Sequence, residues 1–373
     1  MNQQSHIVYS RRLTLEVDPC SVLSELLDKI GGLRGRINKG DIVLIKPNFV
    51  APFPKATTDL RFIDFFIERI RDVGGVPVVG EASGYEFGSE VTFDILGVRS
   101  FLAARDIELV NFENAKYISV DIGSGLAPVE IAESAMQAKL IINLPVLKGH
   151  TITRITASAK NLFGFLSKPS RRYLHFNHLE EAIALLAKRF DNAIHFVDAR
   201  LLLTRAVFGQ SQPLGYCLAG TDPFALDHFG SRLLGIDPSA VKHLAGTTDE
   251  YTVDGAVPEI LPPLKRKDSL KDRLHRWIYS GFYRTDHIKC SLFGGKSIIP
   301  HLHWYLGVHP QIGRVTDDQM EELASICPVG AIDAKRCKII KKKCIKVRCL
   351  KCYRESEPGR IILKGFGRPK GRA

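Results

Sequence analysis

A cluster of cationic and amide side chains follows an apolar run in the middle of the sequence, between Ala138 and Phe165. The run, Leu140–Ile142, has the composition of a buried strand. The polar residues after it are Asn143, Lys148, His150, Lys160 and Asn161. Cationic and amide donors near a helix start suit an anionic ligand. The alternative is a strand, a turn and a helix with ordinary polar caps, and we favour the binding site.

Two other predicted strands end in residues of the same kinds. The run Asp41–Lys46 leads into Pro47-Asn48, and Val76–Gly80 leads into Glu81. Open α/β sheets bind ligands at the carboxyl ends of their strands, so we expect these residues to share one site. The catalytic candidates are Lys148, Lys160, His150 as an acid–base group, and Glu81 as a second acid–base group or metal ligand. The substrate-binding candidates are Lys46, which neutralises charge, and Asn48, Asn143 and Asn161, which orient the ligand.

Further polar residues at predicted helix starts join the substrate-binding candidates. Thr57 and Thr58 precede a helix with aromatic and Ile side chains along one side. Asp222 and Asp227 lie five residues apart, across a turn and a helix start. The two aspartates either hold a cation or cap the helix, and we favour the cap. Asp198, at the end of another predicted strand, is a weaker candidate.

The alternation of strands and helices predicts an α/β fold, with a largely parallel sheet covered by helices. We expect an α/β body over residues 1–258, a linker with a basic amphipathic helix over 259–310, and a small cysteine-rich basic region over 311–373. Val91–Ala104 is predicted to be one helix, and the polar run Ser170–His178 a mobile loop over the site. Neither a G-x-G-x-x-G fingerprint nor a P-loop is present, so a nucleotide cofactor is not predicted.

The positive charge of the chain is concentrated near its C-terminal end. The net charge is +12, and residues 335–373 contain 15 Lys and Arg but 2 Asp and Glu, so the rest is close to neutral. A basic region of this kind binds an acidic protein, a nucleic acid or a membrane surface, or is simply exposed to solvent. No apolar run reaches 18 residues, and the N-terminus lacks the apolar segment of a signal peptide. We therefore expect a cytoplasmic protein, with peripheral membrane contact through the basic region as a further expectation.

Five segments in this order resemble the domain-of-unknown-function family numbered 362. They are KGDIVLIKPNFV, the helix start at Thr57-Thr58, GGVPVVGEASG, INLPVLKGHTITRITASAKNLFG and GTDPFALDHFGSRLLGIDP. The resemblance covers roughly residues 38–245. Members of that family often carry a C-terminal ferredoxin-like domain with two 4Fe–4S clusters, so the resemblance implies an iron–sulfur protein. Because the family name states no reaction, the resemblance implies architecture and site positions rather than chemistry.

The C-terminal cysteines form a degenerate version of the ferredoxin pattern C-x2-C-x2-C-x3-C-P. Cys327 with its proline looks like the end of one half, but the three other ligand positions of that half hold no cysteine. The second half reads Cys344-x4-Cys349-x2-Cys352. In two-cluster ferredoxins the cysteine before the proline ligates the other cluster, so these four cysteines are the candidate ligands of one 4Fe–4S cluster. Zinc on the same thiolates, and a region that binds no metal, are the alternatives.

These features predict an iron–sulfur-associated enzyme that binds a small anionic substrate at the strand ends of its α/β body. Oxidoreductase chemistry is one option for its reaction. The first alternative is a redox carrier or accessory protein that docks an acidic electron-transfer partner. The second is a protein that binds nucleic acid or a membrane surface through its basic region. The body has no helix-turn-helix or RNA-recognition signature, so the second alternative depends on charge alone.

Overall fold

The computed structural model describes residues 6–84, 87–150, 152–203, 211–257, 308–345, 347 and 349–364, with the single positions 281 and 285. The chain forms two compact units, one of Met1–Ser83 with Leu96–Lys265 and one of Gly84–Ile95 with Arg266–Ala373. The predicted three-part division stays a prediction. The predicted amphipathic helix and the basic end at 365–373 lie outside the described residues. Among the helices of the described ranges, none has the length and apolar character that crossing a membrane requires.

The first unit alternates strands with helices along much of its length. Its strands are β1 His6–Arg12, β2 Ile42–Lys46, β3 Val76–Glu81, β4 Glu108–Asn111, β5 Tyr117–Val120, β6 Val129–Ala132, β7 Leu140–Asn143, β8 Val146–His150, β9 Arg154–Thr156, β10 Ala193–Leu203, β11 Ser211–Gly220 and β12 Tyr251–Gly255. Its helices are α1 Cys20–Lys29, α2 Leu60–Asp72, α4 Val98–Ala103, α5 Glu133–Gln137, α6 Ser158–Asn161, α7 Lys168–Asn177, α8 Leu179–Arg189 and α9 Pro223–Leu233; α3, Ser89–Ile95, belongs to the second unit. Short 3₁₀ turns cover Pro54–Ala56, Leu162–Phe165, Pro238–Ala240 and Lys242–Leu244.

A large sheet with a parallel centre organises the first unit. Its strand order is β12-β1-β11-β10-β7-β2-β3-β4, and neighbouring strands from β10 to β4 run parallel. β11 is antiparallel to β1 and β10, while β8 pairs in parallel with β10 and antiparallel with β9. The predicted α/β fold with a largely parallel sheet is therefore confirmed.

Helix α2 illustrates how the sequence builds these elements. Asp59 accepts a hydrogen bond from the Arg61 amide and so caps the helix start. Phe62, Phe66 and Ile70 recur at helical spacing and are completely buried. Their burial packs the helix against the strands, and the Phe66 ring lies 4.6 Å from that of Phe196 on β10.

Two sequence predictions about helices are wrong. The run Ser170–His178 is not a loop, because most of it lies in α7. Ser167 caps that helix by accepting from the Ser170 amide, and Leu174 anchors it in the core with no exposed surface. The predicted helix Val91–Ala104 is two helices, α3 and α4, separated by Gly97 with φ +71°.

The described part of the second unit is a small α+β arrangement. It contains β13 His309–Ile312, α10 Asp317–Ile326, β14 Ile332–Asp333, β15 Lys338–Ile339, α11 Lys341–Cys344, α12 Lys351–Glu355 and β16 Ile361–Lys364. β13 pairs antiparallel with β16, and β14 with β15. Thr316 and Gln319 form a capping box that starts α10. Met320 and Leu323 on that helix are buried in a core shared with Cys352 and Ile361.

Candidate functional site

Four neighbouring strands place polar residues in one row at the carboxyl edge of the sheet. Lys46 at the end of β2 pairs in register with Asn143 at the end of β7, and Asn143 pairs with His195 on β10. Glu81 ends β3 on the other side of β2. The parallel order of the sheet thus brings together residues that lie far apart in the sequence. Of these four residues, sequence reasoning missed His195, because it lies near the start of its strand rather than at the end of one.

Lys46 and Glu81 form a buried ion pair within this row. The two side chains are 0% and 3% exposed, and Nζ of Lys46 contacts Oε2 of Glu81. Nζ also donates to the Pro47 carbonyl at 2.8 Å, while Oε1 of Glu81 accepts from the Phe49 amide at 3.0 Å. Burial lowers the pKa of Lys46, and the Glu81 carboxylate opposes that shift. Both carboxylate oxygens are therefore engaged, so Glu81 acts first as the counter-charge of Lys46.

A chain of hydrogen bonds between side chains runs from Lys148 across the sheet edge to His195. The successive bonds are Lys148 Nζ to Asn48 Oδ1 at 2.6 Å, Asn48 Nδ2 to Asn161 Oδ1 at 2.7 Å, Asn161 Nδ2 to Asn143 Oδ1 at 2.7 Å, and Asn143 Nδ2 to His195 Nδ1 at 2.8 Å. All five side chains are buried. The structure therefore joins the three asparagines that the sequence singled out into one network with Lys148.

The direction of this chain is fixed by groups that have a single hydrogen-bonding role. A lysine ammonium only donates, so Asn48 must present its oxygen to Lys148. Backbone carbonyls only accept. The Ser158 carbonyl receives Nδ2 of Asn143 at 3.0 Å, and the Pro47 carbonyl receives Nδ2 of Asn161 at 3.3 Å. Nδ1 of His195 consequently accepts at the far end. Burial lowers the pKa of His195 to about 3, which keeps this ring neutral at physiological pH.

Lys148 is a buried amine held by two uncharged oxygen partners. It lies on β8, is 1% exposed, and donates to Asn48 Oδ1 at 2.6 Å and to the Ala56 carbonyl at 2.7 Å. Burial lowers its pKa to about 7; the Glu81 charge opposes this shift and the Lys46 charge adds to it. A lysine in this state exchanges its proton near neutral pH, which an exposed lysine does not do.

Further cations surround the same group. Lys160 on α6 donates to Thr153 Oγ1 at 3.0 Å, and burial lowers its pKa well below the ordinary lysine value. Arg171 on α7 donates to the Ser83 carbonyl at 3.0 Å, and its charge acts on Lys46. Burial and the Lys160 charge lower the pKa of His175 to about 4. Sequence reasoning noticed this basic run but assigned it to a loop, so it did not count Arg171 among the site residues.

A buried carboxylate–histidine group holds the short helix that carries Lys160 and Asn161. Asp227 on α9 accepts from the amides at the start of α6, at 2.6 Å from Ser158. Nε2 of His243 lies 3.4 Å from Asp227, and Nδ1 lies 2.6 Å from Glu180. Burial alone would lower the pKa of His243, but the two carboxylates raise it. No local motif marked His243 or Glu180, because their partners are distant in the sequence.

The remaining site residues predicted from the sequence make other contacts. Thr58 accepts from the Asn48 amide and donates to the Leu144 carbonyl, both at 2.7 Å, so it joins the ends of β2 and β7. Thr57 donates to carbonyls of its own turn. Nδ1 of His150 accepts from backbone amides of the turn that follows it. Asp222 caps α9 and pairs with His6 at 2.7 Å, outside the hydrogen-bonded chain.

Asp198 belongs to a separate buried ion pair. Its carboxylate accepts from the Arg200 guanidinium, at 2.7 Å for the shorter contact. Arg200 also reaches Asp59, the cap of α2, at 3.1 Å. This arrangement ties β10 to the start of α2 and leaves Asp198 engaged with a structural partner.

In the second unit, the four candidate cluster cysteines line one cavity. Cys327, Cys344, Cys349 and Cys352 surround it together with apolar side chains, and its empty volume of about 350 Å³ includes space open to solvent. Burial raises the pKa of Cys349, and raises that of Cys352 to about 12. Thiols in such surroundings stay protonated until a cation compensates the thiolate charge. Within the described ranges, no group of three or more His, Cys, Asp and Glu side chains is placed to share a single metal ion.

Fold and site together define an α/β protein with a buried cationic group at the carboxyl edge of a parallel sheet. The chain belongs to the family described as Domain of unknown function (DUF362), which matches residues 43–232. The family membership predicted from the strand-end motifs is therefore confirmed.

This chain is similar to two individual proteins. A thylakoid-associated protein of Synechocystis sp. is 27% identical to this chain over 234 residues, which is 60% of this chain and 72% of that protein. The lactate racemase apoprotein from Thermoanaerobacterium thermosaccharolyticum has 12% sequence identity and a TM-score of 0.43, with a match over 61% of this chain and 57% of that structure.

Proposed function

We propose that this protein is an enzyme that binds a small anionic substrate at the carboxyl edge of its sheet and uses Lys148 to move a proton. The observation that carries the proposal is the charge of the site. Lys46, Lys148 and Lys160 interact with two carboxylates that already have partners: Glu81 pairs with Lys46, and Glu180, which acts on Lys160, pairs with His243. Arg171 adds a further positive charge next to Lys46. An excess of buried cations is costly unless an anion offsets it, so the group favours an anionic ligand.

The residues of the site divide into three roles. Lys160, which is only partly buried, meets the ligand, and the negative charge of the ligand favours the charged form of this amine. Lys148, with a pKa of about 7, accepts or donates a proton near neutral pH. The asparagine chain fixes Lys148 in place, which reduces the cost of orienting it during the reaction. His150 stays a candidate second acid–base group.

Two substitutions test the anion site. Lys160→Met is expected to weaken oxalate binding about tenfold or more, since a charge-assisted hydrogen bond is worth about 1.5–3 kcal/mol. Lys148→Met is expected to abolish catalysis of the proposed reaction and to weaken oxalate binding. Isothermal titration with oxalate, malonate and phosphate measures the affinities. Lys188→Met, the same change at an exposed position of α8, is the matched control. Unchanged affinity in both site variants would remove the proposal.

We also propose that Cys327, Cys344, Cys349 and Cys352 hold one 4Fe–4S cluster. The cavity that the four cysteines share supports this assignment, because a cluster needs several thiolates around one space. When bound, the cluster would supply one-electron transfer. Zinc on the same cysteines is the alternative, and metal analysis separates the two.

A redox accessory protein that docks an acidic partner is the second candidate function. Lys335, Lys338, Lys342 and Lys343 are exposed in the second unit, and Lys343 donates to the carbonyl of Gly330, which lies in the turn after Cys327. Such a basic surface equally supports contact with an anionic membrane, as the name of the thylakoid-associated relative suggests for that protein. Salt-dependent retention on anionic vesicles, on an acidic ferredoxin-type protein and on nucleic acid distinguishes these partners.

A further inference from the structure

The hydrogen bonds of Lys148 determine where its lone pair lies. Its Nζ makes two hydrogen bonds within the described part of the chain, to Asn48 Oδ1 and to the Ala56 carbonyl. Both partners are oxygens that can only accept. A neutral amine has two N–H groups, so both are used in these bonds, and the lone pair must occupy the remaining tetrahedral position of the nitrogen. The structure therefore fixes the direction in which this amine would attack.

The other two lysines of the site lack this arrangement. Lys46 contacts the Glu81 carboxylate, which favours its charged form and occupies the nitrogen. Among the residues that the structure describes, Lys160 donates one hydrogen bond, to the Thr153 hydroxyl, which does not fix the orientation of its nitrogen. Lys148 alone among the three combines near-complete burial with two uncharged oxygen partners and a nearby cation. Desolvation next to another cation is one way in which proteins activate a lysine as a nucleophile.

We propose that Lys148 forms an imine with the carbonyl carbon of a small 2-oxo carboxylate, whose carboxylate group is held by Lys160. This inference rests on the proposed anion site and names the substrate class of that site. Simple carboxylates such as oxalate would occupy the charge-binding part of the site, whereas a 2-oxo acid would also present an electrophilic carbon to the lone pair.

The step balances without an oxidant or a reductant. The lone pair of Nζ forms a C–N bond to the carbonyl carbon, and the carbonyl π electrons move to oxygen, which takes up a proton to give a carbinolamine. The nitrogen loses one proton at this stage. The hydroxyl then takes up a second proton and leaves as water while the nitrogen lone pair forms the C=N bond, which gives the protonated imine. The protonated imine withdraws electrons from the neighbouring carbon, so the reaction class it serves is one that breaks a bond at that carbon.

Reductive trapping tests the proposal on the full-length protein. Wild-type protein is incubated with pyruvate, 2-oxobutyrate or glyoxylate and then treated with sodium borohydride, and the modified peptide is located by mass spectrometry. We expect Lys148 to gain the mass of the oxo acid less one oxygen atom. Labelling is expected to rise with pH through about 7, as the amine loses its proton. Acetone, which lacks a carboxylate, is expected to label Lys148 at least tenfold less.

Matched variants separate imine formation from anion binding. Lys148→Met is expected to lose the label, Lys188→Met to keep it, and Lys160→Met to need about tenfold more pyruvate for half-maximal labelling. If wild-type protein binds oxalate but no 2-oxo acid labels Lys148, the imine is wrong and the anion site stands. If oxalate does not bind and no label forms, both proposals fail. Circular dichroism of each variant verifies that a lost label is not a lost fold.

Discussion

At the scale of single residues, the site places an amine where its charged form is disfavoured. Lys148 is almost fully buried and its pKa is about 7, whereas the pKa of a lysine in an unfolded chain is about 10.4. The unfolded state therefore binds more protons than the folded state between these two values. Stability contributed by this residue must rise with pH across that window and fall as pH drops towards 7.

We predict that Lys148→Met removes this pH dependence. The difference in unfolding free energy between wild type and variant should change with pH between about 7.5 and 9.5, with a slope approaching about 1.4 kcal/mol per pH unit. Urea unfolding monitored by far-ultraviolet circular dichroism at several pH values measures it. Parallel pH profiles for the two proteins would contradict the lowered pKa.

A second residue-scale prediction concerns Gly164, which lies against the buried ion pair. A Cβ at this position would stand 3.1 Å from Nζ of Lys46 and 3.3 Å from Oε2 of Glu81. Both atoms are held by their own hydrogen bonds, so they cannot yield freely. Gly164→Ala is expected to lower the unfolding free energy by about 1–3 kcal/mol in urea titrations. Gly88→Ala, where a Cβ meets nothing within 4 Å, is the control. Equal effects of both changes would exclude this explanation.

The sequence identified most members of the strand-end group but not their links. Lys46, Asn48 and Asn143 were found because each follows an apolar run directly. His195 and His243 were missed, because a histidine in a strand or a short turn has no local signature. Their partners are defined only when the sheet and α9 are assembled. The hydrogen-bond direction of the asparagine chain is likewise a property of the folded state.

At the scale of elements, the four-residue helix α6 depends on α9 for its position. Asp227 accepts from the first amides of α6, and His243 bridges Asp227 to Glu180 on α8. Since α6 is too short to be stable alone, these contacts keep Lys160 in the site. The sequence predicted a helix cap at Asp222, which the structure has, but no role for Asp227 in holding a different helix.

We predict that His243→Gln destabilises the protein by about 1–3 kcal/mol, and by more at pH 6 than at pH 9. The raised pKa of His243 means that its stabilisation is complete below the unfolded value and is lost as pH rises through the folded value. Denaturant unfolding at both pH values measures the change. His228→Gln is the control: burial lowers the pKa of His228, so its pH trend should have the opposite sign. Identical trends in the two variants would contradict the prediction.

Element boundaries show where sequence patterns reach their limit. Strands β2, β3 and β7 were predicted almost to the residue, since apolar runs and flanking glycines mark them. Lys148 was expected after a strand but lies inside β8, because a proline between β7 and β8 interrupts the apolar pattern. The helix α7 was mistaken for a loop because its polar face dominates the sequence, and among its described side chains Leu174 alone is completely buried.

At the scale of the whole molecule, the cysteine cavity predicts a specific pattern of metal loss. We expect anaerobically purified protein to lose the cluster absorbance and most of the bound iron and sulfide when alanine replaces any one of Cys327, Cys344, Cys349 or Cys352. Cys337→Ala is the matched control, since Cys337 is exposed and does not line the cavity. Retention of iron in the Cys327 variant, or zinc without iron in wild-type protein, would overturn the four-cysteine assignment.

The sequence anticipated this grouping from the ferredoxin pattern alone, since four cysteines at uneven spacing were expected to act together. It could not provide the cavity, because the apolar side chains that line it come from separate strands and turns. It also gave no sign that residues 84–95 associate with the C-terminal unit, since compact units are defined by contacts and not by order along the chain.

The fixed direction of the hydrogen bonds between the asparagines also limits how the sequence can change in evolution. Each amide in the chain satisfies the next, so replacing one leaves a buried donor or acceptor unpaired on either side. A lineage cannot exchange these residues one at a time without passing through a poorly stable intermediate. Relatives should therefore keep Asn48, Asn143 and Asn161 together or lose them together. An alignment in which one varies freely while the other two persist would show that the links between them are dispensable.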